Sequence, residues 1–211
     1  EPLRLAIVDE LAVSDRSPTE LAQHLGIGSN LLSHHLDVLE AVGLVVRSSS
    51  AGDRRRKYVR LDQALAVRFG IRGRRPRGRV LFLCSHNSAR SQLAVALWSA
   101  RTGLAASSAG TTPADRVHPG AVAAAKRAGL SLADATPRLI SRVPAGAQVV
   151  TVCDLVHEEL TPTADWWHWS IPDPVAAGTD EAFDAVVAEL EQRIAAVAAA
   201  PTDRTNGSPR S

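Results

Sequence analysis

Residues 79 to 94 read Arg79-Val-Leu-Phe-Leu-Cys84-Ser-His-Asn-Ser-Ala-Arg90-Ser-Gln-Leu-Ala. Val80 to Leu83 is an unbroken apolar run of strand length, which predicts a strand buried on both faces. The run ends on Cys84, crosses small or polar residues and enters a helical segment from Ser91 to Arg101. The loop therefore joins the C-terminal end of a strand to a helix N-terminus. Free amide N–H groups and the helix dipole make such a junction an anion cradle. A cysteine there is expected to have its thiolate stabilised and its pKa lowered. Arg90 can close the loop as a bidentate clamp, with Ser85, His86, Asn87, Ser88, Ala89 and Ser91 completing an oxyanion-binding loop. The arrangement suits a nucleophile aimed at the central atom of a phosphate-like ion.

Downstream, strand and helix patterns alternate, which predicts an α/β domain with a four-stranded parallel sheet over residues 79–200. The expected elements are strands 80–84, 105–109, 148–153 and 166–170, and helices 91–102, 119–129 and 180–199. Phe183, Val186, Val187, Leu190, Ile194 and Val197 form the apolar stripe of the last helix. Residues 201–211 are polar and expected to be a disordered tail. Trp166-Trp167-His168-Trp169 reads as strand core and rim. His157-Glu158 has no partner histidine at position 161, so it is not a zinc-protease helix. Cys84-Ser-His86 is better suited to an oxyanion than to a metal, and no metal site is expected.

Upstream, Leu3, Leu5, Ile7, Val8 and Leu11 suggest a first helix. Ser17-Pro18-Thr19-Glu20 has the form of a helix start, with Ser17 as N-cap, Pro18 at the first turn and Glu20 placed to close a capping box. Ser29 can cap a third helix reaching about Val42, with Leu32, Leu36 and Leu39 as its buried stripe and Gly43 ending it. Leu44 to Ser48, a turn over Ser49 to Asp53 and a basic returning strand from Arg54 to Leu61 read as a hairpin. Residues 1–62 therefore read as an α+β winged helix-turn-helix. Residues 63–78 open with a possible short helix and continue as a basic Gly/Pro linker.

The chain has 211 residues and a formal net charge of only +2, but its basic residues are concentrated in the first 80 and an acidic stretch lies near the end. That asymmetry points to a nucleic-acid-binding front half. No apolar run reaches the roughly 18 residues of a membrane span, so no membrane partner is expected. Two cysteines do not make a secreted disulfide framework, and a cytoplasmic location is expected.

The front segment resembles the arsenic-repressor family of bacterial regulators, most clearly at Ser33-His34-His35-Leu36-Asp37-Val38-Leu39-Glu40-Ala41-Val42-Gly43-Leu44. The resemblance implies a homodimer that sets recognition helices in successive major grooves. Ser29, Asn30, Ser33 and His34 would then meet bases or phosphates, and Arg54, Arg55, Arg56 and Lys57 would be wing contacts. His35 is expected half-packed and not a ligand. Members that sense arsenite use paired cysteines, and this segment has none.

The back segment resembles the low-molecular-weight tyrosine phosphatase superfamily, through Cys84-Ser-His-Asn87-Ser-Ala-Arg90-Ser91-Gln92 and the later Asp173-Pro174. The resemblance implies Cys84 as nucleophile, Arg90 and the loop amides as oxyanion binders, and Asn87 as keeper of the loop backbone. It also implies that Ser91 donates to the thiolate and that Asp173 is the general acid. Three features resemble the arsenate reductase branch. Gln92 replaces the proline usual in phosphatases, no aromatic residue follows Asp173-Pro174, and Val149 to Cys153 brings a second cysteine to the end of a core strand. If the two strands are neighbours, about 4.8 Å apart, a modest loop movement brings the cysteines within disulfide range.

The implied reaction is reduction of arsenate to arsenite by Cys84, with Cys153 resolving the adduct and an external thiol reductant, either a thioredoxin-like protein or a low-molecular-weight thiol. No third cysteine follows Cys153, so either the Cys84–Cys153 disulfide is reduced directly or a small thiol attacks the adduct and Cys153 stands by. No bound cofactor is implied. The competing readings are a tyrosine phosphatase fused to a regulator, and a non-catalytic transcription factor that senses an oxyanion or thiol stress.

Overall fold

The computed structural model describes residues 1–198. The front of the chain folds as α1 (Pro2–Leu11), α2 (Pro18–Leu25), α3 (Ser29–Ala41), then the antiparallel hairpin β1 (Val45–Ser49) and β2 (Lys57–Leu61), and α4 (Gln63–Arg68). It is a winged helix-turn-helix. Ser17 and Glu20 exchange both bonds of the capping box that starts α2, and Gly43 turns the chain out of α3 at a φ of +74°. Ile7, Leu11, Leu21, Leu32, Leu36, Leu39, Val59 and Leu61 form one buried core.

Three local expectations are corrected. Gly28, not Ser29, is the N-cap of α3, and no side chain bonds there. His35 is buried, its Nδ1 lying 3.5 Å from Glu1 Oε2. Arg54 to Arg56 lie in the turn before β2, because Asp53 ties back the amides of Arg55 and Arg56.

The second core surrounds a four-stranded sheet of β3 (Val80–Leu83), β4 (Ala106–Ala109), β5 (Gln148–Thr151) and β6 (Trp167–His168), in the order β4-β3-β5-β6. All three pairings are parallel, with Leu83 opposite Thr151 in the central pair. Its helices are α5 (Arg90–Thr102), α6 (Pro119–Arg127), α7 (Asp154–Glu159), α8 (Pro174–Ala177) and α9 (Asp180–Ala198). β3 is buried at every residue, as its unbroken apolar run requires. The expected strand 148–153 stops at Thr151 because Cys153 has become the N-cap of α7. The expected end of α9 at residue 199 and the tail 201–211 lie outside the described residues.

β6 spans two residues where five were expected, because only Trp167 and His168 pair with β5, which ends at Thr151, and its outer edge is taken by the front domain. His168 donates its N–H to Ser14 Oγ and its carbonyl accepts from Asp15 N, so the winged-helix domain occupies the ladder position. His168, expected at a rim, is consequently fully buried. It stacks on His157 at 4.1 Å and lies 3.0 Å from Asp154. The indole of Trp169 donates to Val13 O.

At the centre of this contact, Arg193 of α9 makes two bonds, 2.6 and 2.9 Å, to the carboxylate of Asp15. Arg193 is 3 % exposed and Asp15 is not exposed at all. Ser170 N and Glu189 complete their hydrogen bonding. Removing one member of such a pair leaves the other charge buried without a partner. Arg193→Ala should therefore destabilise the protein by about 3–5 kcal/mol, read as a lower urea midpoint. Asp15→Ala/Arg193→Met should recover part of that loss.

Candidate active site

The loop between β3 and α5 has its carbonyls pulled outward. Ser85 O accepts from Thr112 N, His86 O from Ala114 N, and Ser88 O from His118 N. The side-chain amide of Gln92 donates to Asn87 O at 3.0 Å and to Asn87 Oδ1 at 3.2 Å. Asn87 adopts a φ of +47°, the one non-glycine residue with positive φ among those described. It is held there by Arg138 N on its Oδ1 and by its own donation to Ser91 Oγ at 2.7 Å. With the carbonyls turned away, the amides from Ser85 to Arg90 make no hydrogen bond among the described residues. A run of unpaired amides at the start of a helix is the kind of geometry that suits an anion.

Cys84 Sγ lies 3.0 Å from Ser91 Oγ. Burial pushes the Cys84 thiol up from its ordinary value, while the Ser91 hydrogen bond and the Arg90 charge pull against it. The direction is the reverse of the expected lowering, because burial outweighs the Ser91 hydrogen bond and the Arg90 charge. Arg90, itself buried, donates through Nη1 to Ile171 O at 2.9 Å, and its Nη2 sits 3.1 Å from Asp173 Oδ2. Asp173 is the N-cap of α8 and accepts from Val175 N. The structure thus brings Cys84, Asn87, Arg90, Ser91, Gln92 and Asp173 together. His86 points to Thr112 O on the exposed side of the loop.

Cys153 lies two residues beyond the end of β5, the neighbour of the strand that leads to Cys84, and its Sγ is 3.3 Å from Ser85 Oγ. Both cysteines are buried and reduced. Gly110 is a further site residue that the sequence reading passed over. A Cβ there would collide with the carbonyl oxygens of Ser85 and Cys84, so the loop closes only over glycine. Its position directly after the weak strand β4 was the available signal.

In the front domain, Ser29, Asn30, Ser33 and His34 are exposed along α3. Arg54, Arg55 and Lys57 are exposed on the wing, with Arg55 paired to Asp53. Arg56 is exposed as well, with Glu20 and Glu158 at 3.8 and 3.9 Å.

Residues 79–204 match the family described as low molecular weight phosphotyrosine protein phosphatase. The chain belongs to that family. This phosphatase-family domain is preceded by residues 1–46, which match the bacterial regulatory proteins of the arsR family. No curated protein matches the chain. Among solved structures, an arsenate reductase from Archaeoglobus fulgidus DSM 4304 is 32% identical, covering 55% of this chain and 95% of its own, with a TM-score of 0.46. An arsenate reductase in its oxidized state is 23% identical over 57% and 96%, with a TM-score of 0.50. The tyrosine phosphatase Wzb from Escherichia coli K30, in complex with sulphate, is 24% identical over 55% and 92%, with a TM-score of 0.48.

Alkylation of Cys84 by iodoacetamide tests the site directly. The raised thiol places the midpoint of the rate–pH curve above that of an ordinary cysteine. Ser91→Ala removes a bond that favours the thiolate, so its midpoint should move to still higher pH. Gly110→Ala should abolish protection of Cys84 by phosphate, because the loop can no longer close around the ion.

Proposed function

We propose that the phosphatase-family domain reduces arsenate to arsenite. The observation that carries this reading is the second buried thiol, Cys153, at the C-terminal end of the strand beside that of Cys84 and within reach of Ser85. Hydrolysis of a phosphate ester through a single cysteine nucleophile does not require it. The aromatic residues agree. All are buried except Trp166 and Phe69, and these lie at the opposite end of β6 and after α4, so no ring stands beside Asp173 to stack on phosphotyrosine.

Arsenate enters the loop as an oxyanion and takes the amides of Ser85 to Arg90 and the guanidinium of Arg90. Cys84 Sγ bonds to arsenic and one hydroxyl leaves as water, taking a proton delivered by Asp173 and replaced by the proton of the Cys84 thiol. Cys153 Sγ then attacks Cys84 Sγ, its thiol proton passing to an oxygen of the departing arsenite. The S–As bond breaks, its electron pair stays on arsenic, and As(V) becomes As(III) as two thiols become one disulfide. Two thiol equivalents from an external reductant, a thioredoxin-like protein or a low-molecular-weight thiol, restore the pair.

In this reading residues 1–62 are a DNA-binding domain, 63–78 a basic linker and 79–200 the reductase domain of a cytoplasmic protein. Ser29, Asn30, Ser33 and His34 enter the major groove while Arg54, Arg55 and Lys57 meet phosphate. The chain works as a homodimer through the exposed apolar face of Leu5, Val42 and Phe69.

Turnover of arsenate with candidate reductants, beside hydrolysis of an aryl phosphate, tests the reading. Arsenite formation that falls to background in Cys153→Ser is the expected result. Brisk hydrolysis without reduction would sink the proposal, and full turnover of Cys153→Ser with a small thiol would remove Cys153 from it.

A further inference from the structure

The wing of the DNA-binding domain is held by the helix that starts at Cys153. Cys153 is the N-cap of α7, its Sγ accepting from Val156 N at 3.5 Å. The residue that follows, Asp154, accepts from Ala51 N at 2.7 Å. One turn on, Glu158 accepts from Asp53 N at 2.8 Å, from Ser50 Oγ at 2.7 Å and from Tyr58 OH at 3.1 Å. Its carboxylate also faces Arg56 at 3.9 Å. Two carboxylates of α7 thus occupy backbone amides that a wing tip would otherwise offer to DNA phosphate, and one of them lies beside the exposed Arg56.

We propose that the Cys84–Cys153 thiol pair controls the DNA-binding domain, with α7 restraining the wing while the pair is reduced and releasing it when the disulfide forms. The inference rests on Cys153 being the resolving cysteine of the proposed reductase. A disulfide requires the two sulfurs at about 2.05 Å. Cys153 Sγ must therefore leave Ser85 Oγ and the amide of Val156, taking the cap from α7. A helix of six residues cannot hold itself without cap and packing. Asp154 moves with its neighbour, and Glu158 follows one turn later. A second contact runs the same way: His157 Nε2 lies 3.6 Å from Glu20, the residue that closes the capping box of α2. During turnover arsenic accepts the two electrons of the thiols.

The test uses the full chain, reduced or treated with diamide, whose N=N bond takes two electrons and two protons from the thiols to become a hydrazine. Loss of both titratable thiols and of two hydrogen masses identifies the intramolecular disulfide. Hydrogen exchange then reads the wing, and a labelled random-sequence duplex of roughly three turns reads DNA affinity. The amides of Ala51 and Asp53 should be protected in the reduced chain and exchange at least ~10-fold faster after oxidation. Affinity should rise, with a log–log salt dependence steeper by about 1 per chain as Arg56 reaches phosphate. Cys153→Ser should not respond to diamide. Reduced Glu158→Ala should already show the faster exchange and tighter binding, with protection of β3 and β5 showing that it is folded.

A disulfide that fails to form, or that forms while Ala51 and Asp53 stay protected, would overturn the coupling. Arsenate turnover on the same samples separates the two ideas. Turnover without wing release defeats the coupling alone. Wing release without turnover supports control by the thiol pair and defeats the reductase reading.

Discussion

The buried contact between Asp15 and Arg193 fixes how the two halves of the molecule meet. Two charges withdrawn from water cost more than a single ion pair returns. They persist here because the pairing is bidentate and because Ser170 N and Glu189 satisfy what remains. With Asp15 pinned, Val13 and Ser14 lie against Trp169 and His168, and Ser17 begins α2 two residues later. The position of the recognition helix on the catalytic domain follows from that anchor.

The same strand exit builds the active site. Ser170 bonds Asp15, Ile171 receives the Arg90 guanidinium, and Asp173 takes its other arm. Four residues therefore carry the chain from the domain contact to the oxyanion loop. The loop itself is not self-sufficient. Thr112, Ala114 and His118 hold three of its carbonyls and Gln92 a fourth, which leaves the loop amides without a protein acceptor among the described residues.

What could be read from the sequence was local. The apolar run Val80 to Leu83 and the Ser17 to Glu20 capping signal specify their elements through neighbouring residues, and both appear where the pattern places them. The cysteine-to-arginine loop was legible for the same reason. Helix α7 was not, since six residues carry no periodicity and its acidic side chains find their partners about a hundred residues earlier in the chain. His168 between tryptophans looks like a rim residue until the edge beyond it is covered. The Cys84 thiol was misjudged because a helix dipole can be inferred from sequence order, whereas depth of burial cannot.

The covering of β6 by Ser14 and Asp15 also bears on how this chain can be dissected. A catalytic domain cut free at the basic linker would bare an unpaired strand edge, an indole N–H without its carbonyl, and an arginine sunk in the core without its counter-ion. Such a fragment would invite self-association before it revealed anything about chemistry. In this fusion the front domain covers the outer edge of the sheet of the domain that follows it.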